Sequence, residues 1–183
     1  MAISLHMKAK DLHQMDSHDY TISLVNLASA LLIRFKYGSH PDDLSQAISL
    51  LREVLELWPV SHHIRSMSLS NLGNALLAQF EQGGQRIDLD EAIYLHQSAV
   101  ESTPSGHPGL PSFLNSLGNS CLCRFEHTGD LQDIDCAISY QQNAIKSTPS
   151  SHDDLPHFFN TLGELFLVRF KHIIRETLIF DGT

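Results

Sequence analysis

Histidines recur at a fixed spacing along the chain, and histidine is a common metal ligand. His62, His107 and His152 are each 45 residues apart, and His63 adds a second ring beside the first. A metal ion needs ligand nitrogens about 2 Å away, whereas neighbouring helices pack about 8–10 Å apart. Equivalent histidines of successive units therefore cannot share one ion. We expect each to bond the backbone of its own loop, with a pH-sensitive surface as the alternative.

Two cysteines, Cys121 and Cys123, form a Cys-x-Cys pair that could in principle hold zinc or act as a nucleophile. On a helix, residues two apart point to different sides. Cys121 also occupies the position that Leu31 and Leu76 hold in earlier units, so we expect it to be a small core residue. With Cys136, the three cysteines are too few for a disulfide framework and suit a reducing compartment. We therefore expect no zinc site, no reactive thiol and a cytoplasmic location.

The carboxylates gather where helices are expected to begin. At such places capping and the helix dipole favour negative charge. They are Asp42, Asp43, Asp88, Asp90 and Asp133. No Gly-x-x-x-x-Gly-Lys-Ser/Thr loop is present, so nucleotide hydrolysis is not expected in these residues. The formal charge of −9 argues against a nucleic-acid or anionic-membrane partner, and no apolar run is long enough to span a membrane. We expect no cofactor, no metal and no enzymatic activity.

The elements that must position these residues repeat every 45 positions. The pair Leu27-Ala28 returns as Leu72-Gly73, Leu117-Gly118 and Leu162-Gly163. A fixed period of this size is typical of a solenoid or a similar array. A glycine inside a helix costs up to about 1 kcal/mol relative to alanine. A glycine that returns at the same position of each repeat therefore predicts that two helices approach each other closely there.

Each unit is predicted to be helix A, a turn, helix B and a loop. In residues 66–110, two sets of apolar residues at helical spacing are separated by Gly83-Gly84. We expect this pair of glycines to end helix A. Asp88 is expected to cap helix B, with Glu91 completing a capping box, and Pro104 to end it. No strand is predicted. The expected helices span about 2–15, 19–37, 42–57, 65–82, 88–102, 111–128, 133–147 and 156–171.

The period divides the chain into parts of a single array. Residues 2–5 (Ala-Ile-Ser-Leu) repeat residues 47–50, so the chain is expected to begin inside a helix B, and the pattern dissolves after Phe170. The predicted parts are 1–17 (helix B only), 18–62, 63–107 and 108–152 (full units), 153–170 (helix A only) and 171–183 (a divergent tail). Arrays usually end in polar capping helices. We therefore expect a piece of a longer array or a degenerate gene product, whose uncapped ends allow self-association.

These residues resemble the tetratricopeptide repeat (TPR) family. That family is marked by Leu-Gly on helix A and by small residues and a proline at set distances on helix B, which Ala92, His96, Ala99 and Pro104 keep here. The unit of 45 residues is longer than the family's, which has about 34, so helix A is expected to be long. With its Leu-Gly-Asn, terminal Phe and Pro-x-x-His loop, the unit is similar to TPR arrays of large fungal proteins. Some of those carry a caspase-like CHAT peptidase domain or a nucleotide-binding domain. The resemblance implies an all-α fold, a TPR-like α-solenoid of antiparallel hairpins forming a right-handed superhelix.

In the TPR family, helix A residues beside Leu-Gly face a concave surface, which implies a partner-binding groove. The residues that map onto it are Ser29, Leu32, Ile33, Ser70, Asn74, Leu77, Asn115, Asn119, Leu122, Asn160 and Glu164. Chaperone-binding members clamp a C-terminal carboxylate with lysines. Ser70 and Asn115 occupy those lysine positions here and Glu164 would repel the carboxylate, so no such clamp is expected. Asparagine can donate to and accept from a partner's backbone, and the aliphatic residues suit an amphipathic helix.

The resemblance implies a non-catalytic protein–protein interaction scaffold that presents a concave groove to a peptide or partner helix. One alternative is a regulatory TPR segment of a larger CHAT-peptidase-like or nucleotide-binding sensor protein. No segment here offers the mixed α/β fold that a CHAT-like peptidase needs. Another alternative is a truncated remnant without function. In a third, the aliphatic residues pack only against the neighbouring unit and the asparagines are solvated or bonded within the array.

Overall fold

All the regular structure in the described part of the chain is α-helical. The computed structural model describes residues 3–4, 7–8, 18–38, 40–57 and 63–180. The helices that follow one another there are α1 His18–Gly38, α2 Pro41–Leu57, α3 His63–Glu81, α4 Arg86–Glu101, α5 Leu110–Thr128, α6 Leu131–Ser147 and α7 Leu155–Phe180. The all-α prediction is confirmed, while the helix expected at 2–15 lies mostly outside the described residues. Among the described helices, none has the length and apolarity to cross a membrane.

The chain divides into two compact units, Met1–Thr103 and Pro104–Thr183. In the first unit α1 packs against α2 and α3 against α4, and α3 also contacts both α1 and α2. In the second unit α5 packs against α6, which also packs against α7. Within each unit the main contacts thus join helices that are close in sequence. We refer below to α1, α3, α5 and α7 as A helices and to α2, α4 and α6 as B helices.

Glycines end the A helices as the sequence predicts. The Gly83 N–H donates to the Phe80 carbonyl at 3.0 Å and the Gly84 N–H to the Gln79 carbonyl at 3.1 Å, the two bonds of a Schellman motif. Gly83 has a φ of +94°, which an L residue with a side chain rarely adopts. Gly129 closes α5 in the same left-handed region and donates to the Phe125 carbonyl at 2.7 Å. The chain can therefore turn back at once into each B helix.

The predicted start of the second B helix is wrong by two residues. Helix α4 begins at Arg86, and its N-cap is Gln85. Asp88 is instead the third helical residue, and its carboxylate accepts the Gln85 backbone N–H at 2.8 Å. Helix α6 likewise begins before its expected position, with Asp130 as the cap that accepts the Gln132 N–H at 2.9 Å. Because Asp88 and Asp133 are each the third residue of their helix, their carboxylates can also reach the preceding A helix.

A polar contact recurs across each turn from an A helix to a B helix, and we call it the turn clamp. Arg34 donates to both carboxylate oxygens of Asp43, with its Nε 2.5 Å from Oδ2. Arg124 Nε donates to Asp133 at 2.9 Å. Between them in sequence, the neutral Gln79 amide donates to Asp88 at 3.0 Å. The three donors are 45 residues apart, as are the three aspartates, so the clamp is a repeat feature that ties the two helices of every hairpin.

Small residues mark where A and B helices approach most closely. A Cβ built on Gly73 would lie 2.5 Å from Nε2 of His96, and one on Gly118 would lie 3.4 Å from the Ala137 carbonyl oxygen. Ala47, Ala92 and Ala137 on the B helices are fully buried. The close approach predicted from the glycine phase is thus confirmed for α3 with α4 and for α5 with α6. Around Gly163 on α7, at the same phase, the space that a Cβ would enter is open to at least 4 Å.

Helix α7 is longer than the predicted range 156–171, since it continues to Phe180. The residues after Phe170 contain neither glycine nor proline until Gly182, so no backbone signal stops the helix there. The expected end at the close of the repeat pattern was therefore wrong. Residues 171–180 of the tail lengthen the last A helix.

Replacing Gly73 tests the close approach. Gly73→Ala should destabilise the protein by about 1–3 kcal/mol, because the new methyl group forces the fully buried His96 ring out of its position. Gly163→Ala is the matched control at the same repeat phase. In a single copy of the chain it meets open space, so in dilute solution it should instead stabilise α7 by up to about 1 kcal/mol. Urea midpoints of the two variants check this, and equal midpoints would contradict it.

The turn clamp predicts a pH-dependent stability. The hydrogen bond from Arg34 lowers the pKa of Asp43 below its ordinary value. The stabilisation is therefore complete above the ordinary pKa of about 3.9 and is lost as the pH falls through the lowered pKa. Asp43→Asn should lower the urea midpoint at pH 7, and its difference from wild type should shrink in acid. The control is Asp42→Asn, which makes the same change at the preceding residue, whose side chain is exposed. A difference that persists unchanged at the lowest pH would refute the assignment.

Candidate functional site

The sequence-predicted groove residues lie on the A helices, and four of them are exposed polar side chains. In the first unit Asn74 is exposed on α3. In the second unit Asn119 is exposed on α5, and Asn160 and Glu164 are exposed on α7. Asn74, Asn119 and Glu164 are 45 residues apart, so they occupy the same turn of their helices. We call these three residues, which are related by the 45-residue period, the polar row; Asn74 belongs to the first unit, and Asn119 and Glu164 belong to the second.

Other predicted groove residues already have partners inside the protein. The Ser29 hydroxyl donates to the Val25 carbonyl at 2.9 Å and accepts from the Asn71 amide at 3.4 Å, which links α3 to α1. Ser70 is buried, with 4% of its surface exposed, and its carbonyl lies 3.2 Å from Nε2 of His96. Ser29 and Ser70 therefore take part in contacts between helices of the first unit.

Asn115 is half-buried on α5, and its side-chain oxygen is among the buried atoms of the described residues that have no hydrogen-bond partner. Gln141 on α6 has an orphaned Oε1 as well, although its Nε2 donates to the Phe158 carbonyl of α7 at 2.9 Å. A buried acceptor without a donor costs free energy. Asn115 turns its carbonyl oxygen into the protein, so only its amide group could face a partner.

The aliphatic groove residues are partly covered. Leu32, Leu77 and Leu122 are half-buried at equivalent positions of α1, α3 and α5, whereas Ile33 is exposed. Part of each leucine is therefore covered. Leu77 and Leu122 lie three residues after Asn74 and Asn119, so they share a helix face with them. The surface next to Asn74 and Asn119 is thus mixed, with an amide beside a strip of aliphatic carbon.

The recurring histidines fold their own loops. His107 Nδ1 accepts the Gly109 N–H at 3.0 Å and His152 Nδ1 accepts the Asp154 N–H at 3.2 Å. The expectation of a backbone-bonding loop histidine is confirmed for both, while His62 lies outside the described residues. Both rings border a cavity of about 180 Å³ in the second unit, lined also by Pro108, Pro149 and Phe158. The described residues hold no group of three side chains arranged to bind a metal ion.

The cysteines have the placement expected of structural residues. Cys121 and Cys123 are buried on α5, and Cys136 is exposed on α6. Burial raises the pKa of the Cys121 thiol to about 11, so this thiol stays protonated at neutral pH. A reactive cysteine needs the opposite shift, because the thiolate is the nucleophile. The core role predicted for Cys121 is confirmed.

His96 is a buried residue whose role the sequence does not reveal. Its side chain is completely enclosed above Gly73, and the carbonyl of Ser70 accepts from Nε2, which must therefore carry the proton. Burial lowers the pKa of His96 to about 4, so the ring is neutral at pH 7. Leu51 and Gln141 hold the same repeat position. The periodic spacing locates this position, but only the structure shows that its polar occupants bond to an A-helix carbonyl.

The polar row is exposed, while burial keeps the Cys121 thiol and the His96 ring uncharged at neutral pH. No protein-family model matches the chain, and no curated protein matches its sequence. What supports a function is therefore the internal repeat and the surfaces that the A helices expose.

His96 predicts acid sensitivity in a defined pH range. Because its pKa falls from an ordinary 6.5 to about 4 on folding, the unfolded chain binds the proton first. Stability should be complete above pH 6.5 and fall by roughly 3 kcal/mol between pH 6.5 and 4. His96→Gln introduces the residue that the next unit has at Gln141, whose amide donates to an A-helix carbonyl, and it removes the titrating ring. Urea midpoints measured against pH should fall less steeply for this variant than for wild type. Parallel curves would refute the assignment.

Proposed function

We propose that this chain is a non-catalytic interaction scaffold, a TPR-like α-solenoid whose A helices present a groove to a peptide or partner helix. The observation that carries the proposal is the recurrence of an exposed asparagine, Asn74 on α3 and Asn119 on α5, beside the half-buried Leu77 and Leu122. An exposed asparagine is a poor residue for a helix interior. Its return at one turn of successive A helices supports a role at the surface.

The side chains of the polar row favour a particular kind of partner. Each asparagine amide can both donate to and accept from a peptide backbone, and the neighbouring leucine offers apolar contact. Glu164 is the member of the polar row on α7. The row therefore has one negative charge, and none of its three residues is a cation. The protein as a whole has a formal charge of −9. These features favour a neutral or basic peptide over one ending in a clustered carboxylate.

The repeated internal contacts support the solenoid. Each hairpin has a turn clamp at the same positions, and the main contacts in each unit join helices close in sequence. Arrays of this kind are stabilised by contacts between neighbouring repeats and offer long binding surfaces. A cytoplasmic location is part of the proposal, on the sequence argument from the three cysteines.

Replacing the two asparagines tests the binding surface. A library of displayed random peptides is selected against the immobilised 183-residue chain, and binding of the enriched peptides is measured by calorimetry. Asn74→Ala combined with Asn119→Ala should weaken binding at least about tenfold, because each lost amide leaves a peptide group unpaired at about 1 kcal/mol or more. Alanine favours the helix, so the fold should be retained.

The control is Asn143→Ala, an exposed asparagine on the B helix α6. It makes the same chemical change outside the polar row and should leave binding unchanged. If the enriched peptides bind the double variant as tightly as wild type, the polar row is not the site. If selection enriches no peptide at all, the scaffold proposal fails.

A further inference from the structure

Helix α7 exposes an apolar face that the other A helices keep covered. Phe159, Phe166 and Phe170 are 54%, 48% and 60% exposed. Their counterparts 45 residues earlier on α5 are Leu114, Cys121 and Phe125, which are only 6%, 3% and 5% exposed. Helix α6 packs along α5, whereas no described residue covers the same side of α7. An exposed apolar patch with several large side chains marks an interaction site.

Gly163 shows what shape of partner this face is built for. Its equivalents Gly73 and Gly118 give room for a B helix, with His96 directly above Gly73 and with Ala137 and Gln141 beside Gly118. Above Gly163 there is open space to at least 4 Å. The face of α7 from Phe159 to Phe166, centred on Gly163, therefore has the shape of an A-helix surface on which a B helix can pack. We call it the α7 face.

A segment of the chain itself carries the matching residues. Residues 2–9 read Ala-Ile-Ser-Leu-His-Met-Lys-Ala, and residues 92–99 of α4 read Ala-Ile-Tyr-Leu-His-Gln-Ser-Ala. The identical positions include those that α4 buries, since Ala92, Leu95, His96 and Ala99 are all buried. The differing positions correspond to Tyr94, Gln97 and Ser98, which are not buried. Residues 2–9 thus repeat the contact stripe of α4.

We infer that the α7 face binds residues 2–9 of a second copy of this chain, so that copies join head to tail. In the sequence repeat His6 is the counterpart of His96, Gly163 of Gly73 and Asn160 of Ser70, so the pairing has the register that α4 has on α3. This inference rests on the hairpin stacking of the proposed scaffold but uses a different surface from the polar row.

The pairing is heterologous, because the two surfaces that meet are different. Such contacts generate rings or open chains rather than closed twofold dimers. Every copy in the assembly contributes one α7 face and one segment. Disabling either surface should therefore stop growth, and two copies disabled on opposite surfaces should still form one contact.

The test uses two variants of the 183-residue chain and sedimentation over a wide range of concentrations. Gly163→Leu fills the space on α7 and leaves the segment intact. His6→Glu combined with Ala9→Glu puts charges on the segment stripe and leaves α7 intact. Wild type should show a mass that rises with concentration above 20.5 kDa. Each variant alone should associate at least about tenfold more weakly, and their mixture should form a heterodimer that does not grow further.

Circular dichroism and urea midpoints confirm that both variants fold as wild type does. The inference is overturned if wild type stays monomeric throughout, if either variant still forms long assemblies, or if the mixture yields no heterodimer. Asn74→Ala combined with Asn119→Ala should assemble like wild type, since these residues lie outside the α7 face. Loss of peptide binding and loss of self-association can therefore be told apart.

Discussion

The structure depends on how closely each A helix approaches its B helix. Gly73 and Gly118 remove the side chain that would hold the helices apart, and fully buried alanines do the same on the opposite side. At such a distance a single methyl group matters, because protein interiors are close-packed. Because of that contact, the B helices lie where the turn clamps can reach them.

One residue of each B helix packs at the glycine position of the A helix, and in α4 and α6 this residue determines which A helix is hydrogen-bonded. Leu51, His96 and Gln141 occupy equivalent positions and are all fully buried. His96 bonds the A helix of its own hairpin through the Ser70 carbonyl, whereas Gln141 bonds the following A helix through Phe158. A buried polar group is costly without a partner. The change from histidine to glutamine therefore keeps the core satisfied while moving one hydrogen bond from within a hairpin to between hairpins. The cost of this arrangement is the orphaned Oε1 of Gln141.

The sequence could predict helices and their glycine stops because both depend on local preferences. The helix spacing, Gly83 and the loop histidines were all predictable in this way. The start of α4 was not, since Gln85 and Asp88 cap it jointly and the aspartate also binds Gln79 across the turn. Burial along the A helices was also not predictable. Ser70 and Asn74 are one turn apart and both map onto the family groove, yet only Asn74 is exposed because α4 covers the carbonyl side at Ser70.

An array that binds partners and also stacks must keep the two surfaces apart, and α7 shows how one helix can do so. Residues 163 and 164 differ by about 100° around a helix, so Gly163 and Glu164 point to different sides. A B helix placed over Gly163 would cover Asn160 about as far as Asn115 is covered on α5. It would leave Glu164 as exposed as Asn119 is beside α6. Stacking and partner binding can therefore occur together, because the helical repeat assigns neighbouring residues to different faces.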